Sequence, residues 1–464
     1  MSISRARTIA FDVLLRVAKQ NAYADDALRA ELDESIKTED AGLATELVLG
    51  ALRWQRLLDH LIDRNLSKAN RTLDAEVRIA LRMGAYQIAF LDRIPARAAV
   101  HESVELVKRS RKRSAATLVN AILRKAAAEA LHGDLLIDRV AASFPPDSPI
   151  ADRLGIQYSH PTWLVERWLQ TYGEDRTRSL LHANNRAPTV SASLLDTKRS
   201  DDVIRSLQSV GCRIQSGRLL RGAWVLEGGN PGACEAVRHG WVTIQDEASR
   251  AVAHLVAVEP GNRVLDLCAA PGGKTIFLAR ATGPEGRVIA ADLHEHRMRS
   301  MRERFDQAGV RNVETVTLDG MQALPFEETF DRILVDVPCS GTGTLARHPE
   351  IRWKLQPEDL GDLHERQLRL LQNTLPHLAP KGRLVYSTCS LEPEENELVV
   401  REALAAMGHA FKDVDPRGAL EGGLRESVQV GSVVCADGFF RTFPAQHGTD
   451  GFFAAVIERK KSKA

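Results

Sequence analysis

Between residues 263 and 390 the chain repeats one pattern: a short apolar run, a loop and a helical stretch. The runs are RVLDL, RVIAAD, VETVTLD, RILVDVP and GRLVYSTCS. Apolar runs of this length bury both faces, and their regular alternation with helices predicts a doubly wound α/β sheet. A Rossmann-like sheet of seven strands, most of them parallel, is therefore the expected core of residues 246–464. A last run, FFAAVIER, follows Gly451 and is expected to enter antiparallel from the sheet edge. Ligands of such sheets bind beyond the carboxyl ends of the strands, so the loops there are the first place to look for chemistry.

The first of those loops is Cys268, Ala269, Ala270, Pro271, Gly272, Gly273, Lys274 and Thr275, between RVLDL and the helical IFLARAT. It matches the phosphate-binding pattern G-x-x-x-x-G-K-[ST] except at Cys268, so a P-loop NTPase is one reading. Against it, Pro271 removes an amide from the nest that would cradle phosphates. The dinucleotide pattern G-x-G-x-x-G is absent. S-adenosylmethionine is the third reading: it carries no phosphate, and needs small residues for close approach and carboxylates for its amino group and ribose hydroxyls. Asp292, Asp319 and Asp336 close the next three runs. Each alone could be a turn or cap residue, but three acids at successive strand ends form a set suited to that ligand.

At 464 residues the chain exceeds one ordinary core, and three modules are expected. Residues 1–145 are helical by period: Ile9, Val13 and Val17 mark one stripe, Leu47, Ala51, Trp54, Leu58 and Leu61 a second, and Val77, Leu81 and Ile88 a third. In HESVELVKRSRKRSAATLVNAILRK, Lys108, Arg109, Arg111, Lys112 and Arg113 crowd one interhelical turn. That cluster is either a solvated face or a phosphate-contacting patch beside the positive end of the following helix. A proline-rich stretch near 145 opens a second module over 146–245. Helices around 163–172 and 201–210, with strands near 189–195, 224–226 and 241–244, predict a small α+β unit there.

The hydrophobic fraction of 44% and charged fraction of 27% are those of a soluble globular protein. No apolar run approaches the roughly 18 residues of a membrane span. The start, MSISRARTIAFDVLLRVAKQ, interleaves charged and apolar residues, unlike a secretory leader. A cytoplasmic monomer is expected. Net charge is +1, so nucleic-acid contact has to come from local patches. Six cysteines without a C-x-x-C pair predict neither a zinc site nor a disulfide framework, and no metal is expected.

Two of those cysteines stand out, because Cys339 in DVPCSGTG and Cys389 in YSTCS each follow an apolar run. Either could be a small core residue. Together, downstream of the glycine loop, they suggest covalent chemistry on an electron-poor ring. Carbon 5 of a pyrimidine is barely nucleophilic, whereas a thiolate added at carbon 6 creates an enamine-like species that attacks a methyl sulfonium.

The strings CAAPGGKT, DVPCSGTG and YSTCS followed by PEENE resemble the RNA cytosine-5 methyltransferases of the Sun/Nol1/Nop2 type. The front end, with VHESVELVKR, resembles the NusB-like RNA-binding domain of antitermination factors. The resemblance implies that Cys389 is the nucleophile, that Cys339 assists release of the methylated RNA, and that Asp336 also interacts with the base. It implies that residues Cys268 to Lys274 with Asp292, Asp319 and Asp336 hold S-adenosylmethionine. Lys274 is open between donor, RNA and a carboxylate. In GTLARHPEIRW, Arg347, Arg352 and Trp353 resemble a segment lining the RNA entrance. The implied substrate is 16S rRNA, at cytosine 967. An RNA-binding scaffold with an inactive methyltransferase fold is the alternative from another class.

Overall fold

The computed structural model describes residues 3–33, 35–66, 72–129 and 131–460. They form two compact units: Met1–Ala187 with Leu345–Pro357, and Pro188–Thr344 with Glu358–Ala464.

The first unit is helical. Helices Arg5–Gln20, Thr38–Arg53, Gln55–Asp63, Ala75–Phe90 and Ala96–Arg109 turn the apolar stripes inward. Ile9, Val13, Val17, Leu47, Ala51, Leu58, Val77, Leu81 and Ile88 share one buried core with Trp54, against which Leu61 packs partly buried. The Trp54 ring stacks on Phe90 at 4.7 Å. Helices Ile150–Gln157, Thr162–Tyr172 and Glu174–Asn184 belong to this unit too.

The second unit holds two sheets. Strands β1 (Val190–Leu194), β2 (Arg213–Ser216), β3 (Ala223–Glu227) and β4 (Val242–Ile244) pair antiparallel in the order β2-β3-β1-β4. β2 was not predicted, because RIQS is an edge strand with mostly exposed side chains and carries no apolar alternation.

The larger sheet comprises β5 (Arg263–Leu267), β6 (Arg287–Asp292), β7 (Val313–Thr317), β8 (Phe330–Asp336), β9 (Leu378–Thr388), β10 (Phe411–Val414), β11 (Phe440–Arg441) and β12 (Phe453–Arg459). Their order is β10-β12-β9-β8-β5-β6-β7, with β11 beside β12. The five strands from β9 to β7 in that order are parallel. β12 is antiparallel as predicted, but it lies between β9 and β10 and not at the edge. Its run from Phe453 to Ile457 is buried throughout, as a strand covered on both sides requires. From β5 the chain builds outward to β6 and β7, then returns to add β8 and β9 on the other side. The reversal opens a crevice at the carboxyl ends of β5 and β8, where the loops after these two strands face each other.

Candidate active site

β5 delivers the loop from Cys268 to Gly272 into that crevice. Gly272 has φ 93° and precedes helix Gly273–Thr282, a conformation that L side chains adopt only under strain. Asp292, the last residue of β6, is buried, and its carboxylate accepts the amides of Ala270 and His294, both at 3.2 Å. Asp319 follows β7 and accepts the Met321 amide at 3.0 Å. Asp336, the last residue of β8, accepts from Lys274 Nζ at 2.7 Å and from Ser387 Oγ at 2.6 Å. Lys274 therefore faces a carboxylate. Burial opposes its charge, but Asp336 and the nearby Asp266 outweigh burial and raise its pKa. The Cys268 thiol is pushed up by burial and then by the Asp292 and Asp336 carboxylates, so it lines the loop as a neutral group.

Asp266 gave no sequence signal, since it sits inside the apolar run RVLDL. It is fully buried and accepts from Thr275 Oγ1 at 2.6 Å. Burial raises its pKa from 3.8 to about 7 despite that hydrogen bond. The folded state thus binds the proton more tightly than the unfolded chain. The stabilisation from this proton is fully present below the unfolded pKa of 3.8 and is lost as pH rises through about 7. Asp266→Asn is expected to flatten that slope, which urea midpoints measured from pH 4 to pH 8, in roughly unit steps, would show.

The cysteines meet because β8 and β9 are adjacent and parallel, with Asp336 paired to Ser387 in register. Cys339 and Cys389 leave the same end of these strands, and their Sγ atoms lie 3.3 Å apart. Close packing of the two loops needs a glycine at 343: a Cβ there would stand 2.1 Å from the Gly451 carbonyl oxygen and 2.8 Å from that of Cys389. The Gly343 amide donates to the Cys389 carbonyl at 2.9 Å. The hydrogen bond to Cys389, followed by burial, raises the Cys339 pKa well above that of an ordinary thiol. The contact itself lets either sulfur be the donor.

Glu395, within PEENE, ties the two loops together and was missed as a site residue. It is fully buried. Its Oε1 accepts the Ser340 amide at 2.7 Å and Gln367 Nε2 at 2.9 Å. Its Oε2 accepts the hydroxyls of both Ser340 and Ser390, the residues that follow the two cysteines. A buried carboxylate this close to the turns costs free energy unless each oxygen is satisfied, and here four donors do so. Glu395→Ala takes the acceptor from all four and leaves the Ser340 amide without a partner, and is expected to destabilise the fold by about 3 kcal/mol. Chemical denaturation checks the stability loss, and alkylation rates of Cys339 and Cys389 report whether the two loops part.

The RNA candidates divide. In the interhelical turn, Lys108 pairs with Glu105 at 2.7 Å, Arg109 forks onto Asp12 at 2.8 and 3.1 Å, and Lys112 pairs with Asp74 at 2.8 Å. Arg111 and Arg113 are exposed and have no ion pair among the described residues. Arg347 is partly exposed. Arg352 is a correction: it is fully buried inside the helical unit, where its guanidinium donates to Ser159 O at 3.0 Å, Asn184 O at 3.1 Å and Asn185 Oδ1 at 2.9 Å. A side chain committed to those acceptors cannot line an RNA entrance. Trp353 likewise spends its indole N–H on Leu52 O at 2.7 Å. Among the described residues no group of three His, Cys, Asp or Glu side chains could hold a metal ion, and no helix is long and apolar enough to cross a membrane.

The donor set at the strand ends fits S-adenosylmethionine. It combines carboxylates with a loop of small residues, and it offers no cationic cradle for phosphate, because Lys274 is engaged by Asp336.

Comparison with known proteins agrees with this geometry. Residues 253–458 match the model of the 16S rRNA methyltransferase RsmB/F family, residues 4–128 that of the NusB family, and residues 160–231 that of an RsmF/B-like ferredoxin-like domain. A probable ribosomal RNA small subunit methyltransferase B of Bacillus subtilis is 32% identical over 99% of this chain and 100% of its own. A ribosomal RNA small subunit methyltransferase B of Pseudomonas putida is 34% identical over 90% of this chain and 93% of its own. Among solved structures, PH0851 shares the fold at a TM-score of 0.77, with 24% identity over 99% of this chain and 100% of that one. A methyltransferase homologue from Pyrococcus horikoshii is 28% identical with a TM-score of 0.55, covering 67% of this chain and 99% of that one. With a NusB-like front, a ferredoxin-like middle and a methyltransferase sheet in one polypeptide, the chain belongs to the RsmB/F family of S-adenosylmethionine-dependent ribosomal RNA small subunit methyltransferases.

Proposed function

We propose that the chain methylates carbon 5 of a cytosine in 16S rRNA, cytosine 967, through a covalent adduct with Cys389. The observation that carries this reading is the 3.3 Å contact between Cys339 and Cys389, beside an Asp336 carboxylate that already holds Lys274. Methylation of an exocyclic amine needs no thiol, and an inactive scaffold needs no such pair.

Cys389 adds to carbon 6 of the base, which makes carbon 5 nucleophilic. S-adenosylmethionine, held by residues Cys268 to Lys274 with Asp292, Asp319 and Asp336, supplies the electrophilic methyl group when bound. Loss of the carbon 5 proton then expels the thiolate of Cys389 and restores the aromatic ring. Cys339 offers its S–H to the departing sulfur. Asp336 interacts with the base, oriented by Lys274 and Ser387. A cytosine in folded rRNA has to leave its stack to reach these groups.

Residues 1–145 and 146–245 select the RNA, with Arg111 and Arg113 as phosphate contacts and Lys108, Arg109 and Lys112 as weaker ones, since their ion pairs lower their free charge, and Arg347 adds a further contact. The protein works in the cytoplasm as a monomer. Bisulfite sequencing of rRNA from cells with and without the gene tests the whole reading. A single cytosine that changes from protected to converted when the gene is lost is the expected result, and unchanged protection at every cytosine sinks it.

A further inference from the structure

Gln245 links β4 to Asp246, the N-cap of helix Glu247–Leu255. Its backbone amide donates to Ser191 O of β1 at 3.0 Å, which ties this turn to the smaller sheet. Its side chain lies against the larger sheet's glycine loop. A Cβ on Gly273 would stand 3.4 Å from Nε2, 3.6 Å from Cδ and 3.8 Å from Oε1, which is ordinary van der Waals contact. Gly273 directly follows the loop of residues 268–272 and opens helix Gly273–Thr282. The next residue, Asp246, accepts the Asp450 amide at 3.2 Å, and the Gly451 amide donates to Gly343 O at 2.8 Å in the loop after Cys339. Gln245 therefore stands at the crevice end of the sheet, beside the glycine loop and next to the segment that packs on the cysteine loops.

The side-chain amide is only half used. Nε2 donates to Ser249 Oγ at 3.1 Å, whereas Oε1 is enclosed and has no hydrogen-bond partner among the described residues. An enclosed amide oxygen without an N–H or O–H to accept is unfavourable, and native structures keep few of them. The terminal torsion of glutamine is soft, so a modest turn presents that oxygen to the crevice at little cost.

What the oxygen needs is a hydrogen-bond donor, and S-adenosylmethionine carries nitrogen donors in two places, the adenine amine and the ammonium of its amino-acid tail. The acids assigned to its nucleoside, Asp292 and Asp319, end β6 and follow β7, which lie on one side of β5. Its sulfonium has to face the cysteines, which follow β8 and β9 on the other side. The tail joined to that sulfonium is the part of the molecule left for the glycine loop and Gln245.

We propose that Gln245 binds the methyl donor: Oε1 accepts from the α-ammonium of S-adenosylmethionine, while Ser249 orients the amide. The inference rests on the assignment of residues 268–274, Asp292 and Asp319 to that ligand, and it does not depend on the roles of the two cysteines.

The test uses the full-length protein without RNA, titrated in a calorimeter with S-adenosylhomocysteine and with its analogue lacking the α-amino group. Gln245→Met removes the acceptor at similar length. Wild type is expected to bind S-adenosylhomocysteine about tenfold or more tighter than the analogue. Gln245→Met should lose about tenfold for S-adenosylhomocysteine and stay within about twofold of wild type for the analogue, because only the first ligand can couple to residue 245. Equal losses for both ligands would make Gln245 a support of the loop and overturn the inference. Unchanged affinity of the variant for S-adenosylhomocysteine overturns it too. If Gln245→Met does not fold, Gln245→Ala decides by the same comparison. Failure of wild type to bind S-adenosylhomocysteine overturns the assigned site and the inference with it, whereas binding by wild type with no change in the variant overturns the inference alone. Neither probe has a methyl group to transfer, so the cysteine chemistry can fail without moving any of these affinities.

Discussion

Cys389→Ala is expected to abolish methylation of small-subunit RNA while leaving the protein folded. Without the sulfur there is no addition at carbon 6, and carbon 5 stays too electron-poor to take a methyl group, so turnover should fall by roughly 10⁴-fold or more. The side chain is only partly buried and sits just past the end of β9, where a change from thiol to methyl creates little cavity. Loss of activity can therefore be separated from loss of structure by thermal unfolding. Incorporation of a labelled methyl group into 16S rRNA fragments provides the assay, and turnover near the wild-type rate would remove Cys389 as the nucleophile.

The second large effect has the opposite appearance on a gel. In Cys339→Ala, RNA should stay attached to the protein. The Cys339 S–H can favour Cys389 only while that sulfur carries negative charge, which is before addition and after expulsion but not within the adduct. Removing the donor therefore shifts the balance toward the adduct. A hydrogen bond to a charged group contributes about 1.5–3 kcal/mol, so the shift should be on the order of 10- to 100-fold. The Cys339 pKa, raised by its bond to Cys389 and by burial, keeps the donor protonated at neutral pH. Denaturing electrophoresis of the variant with RNA and methyl donor should show a slow band that the double variant with Cys389→Ala lacks. Normal turnover with no such band would take the release role from Cys339.

Much of the architecture is legible in the chain because burial leaves a period. RVLDL, RVIAAD and RILVDVP could only be inner strands, and the stripes through Leu47 and Leu81 could only be packed helices. Acids at run ends are legible too, and Asp292 and Asp336 do end β6 and β8. Period reports which faces are covered but not by what. FFAAVIER has the same apolar pattern at an edge capped by another element as it has between β9 and β10, and RIQS has no pattern at all. Polar groups deceive more. PEENE entered the sequence reading only as part of a motif string, yet its Glu395 is fully buried under four donors. Arg352 in HPEIRW reads as a surface cation, yet three helix ends enclose it.

From the sequence alone came the sheet, the helical front and the glycine loop with acids at the strand ends around it, since each depends on residue type and local spacing. Only the tertiary structure decided that Cys339 and Cys389 touch, that Glu395 joins their loops, that Lys274 faces Asp336 and that Arg352 is an interior anchor. Those four facts depend on which strands pair and which helix ends converge. Such pairings join residues tens to hundreds of positions apart, and they are selected by the free energy of the whole packed core, which no local stretch of sequence contains.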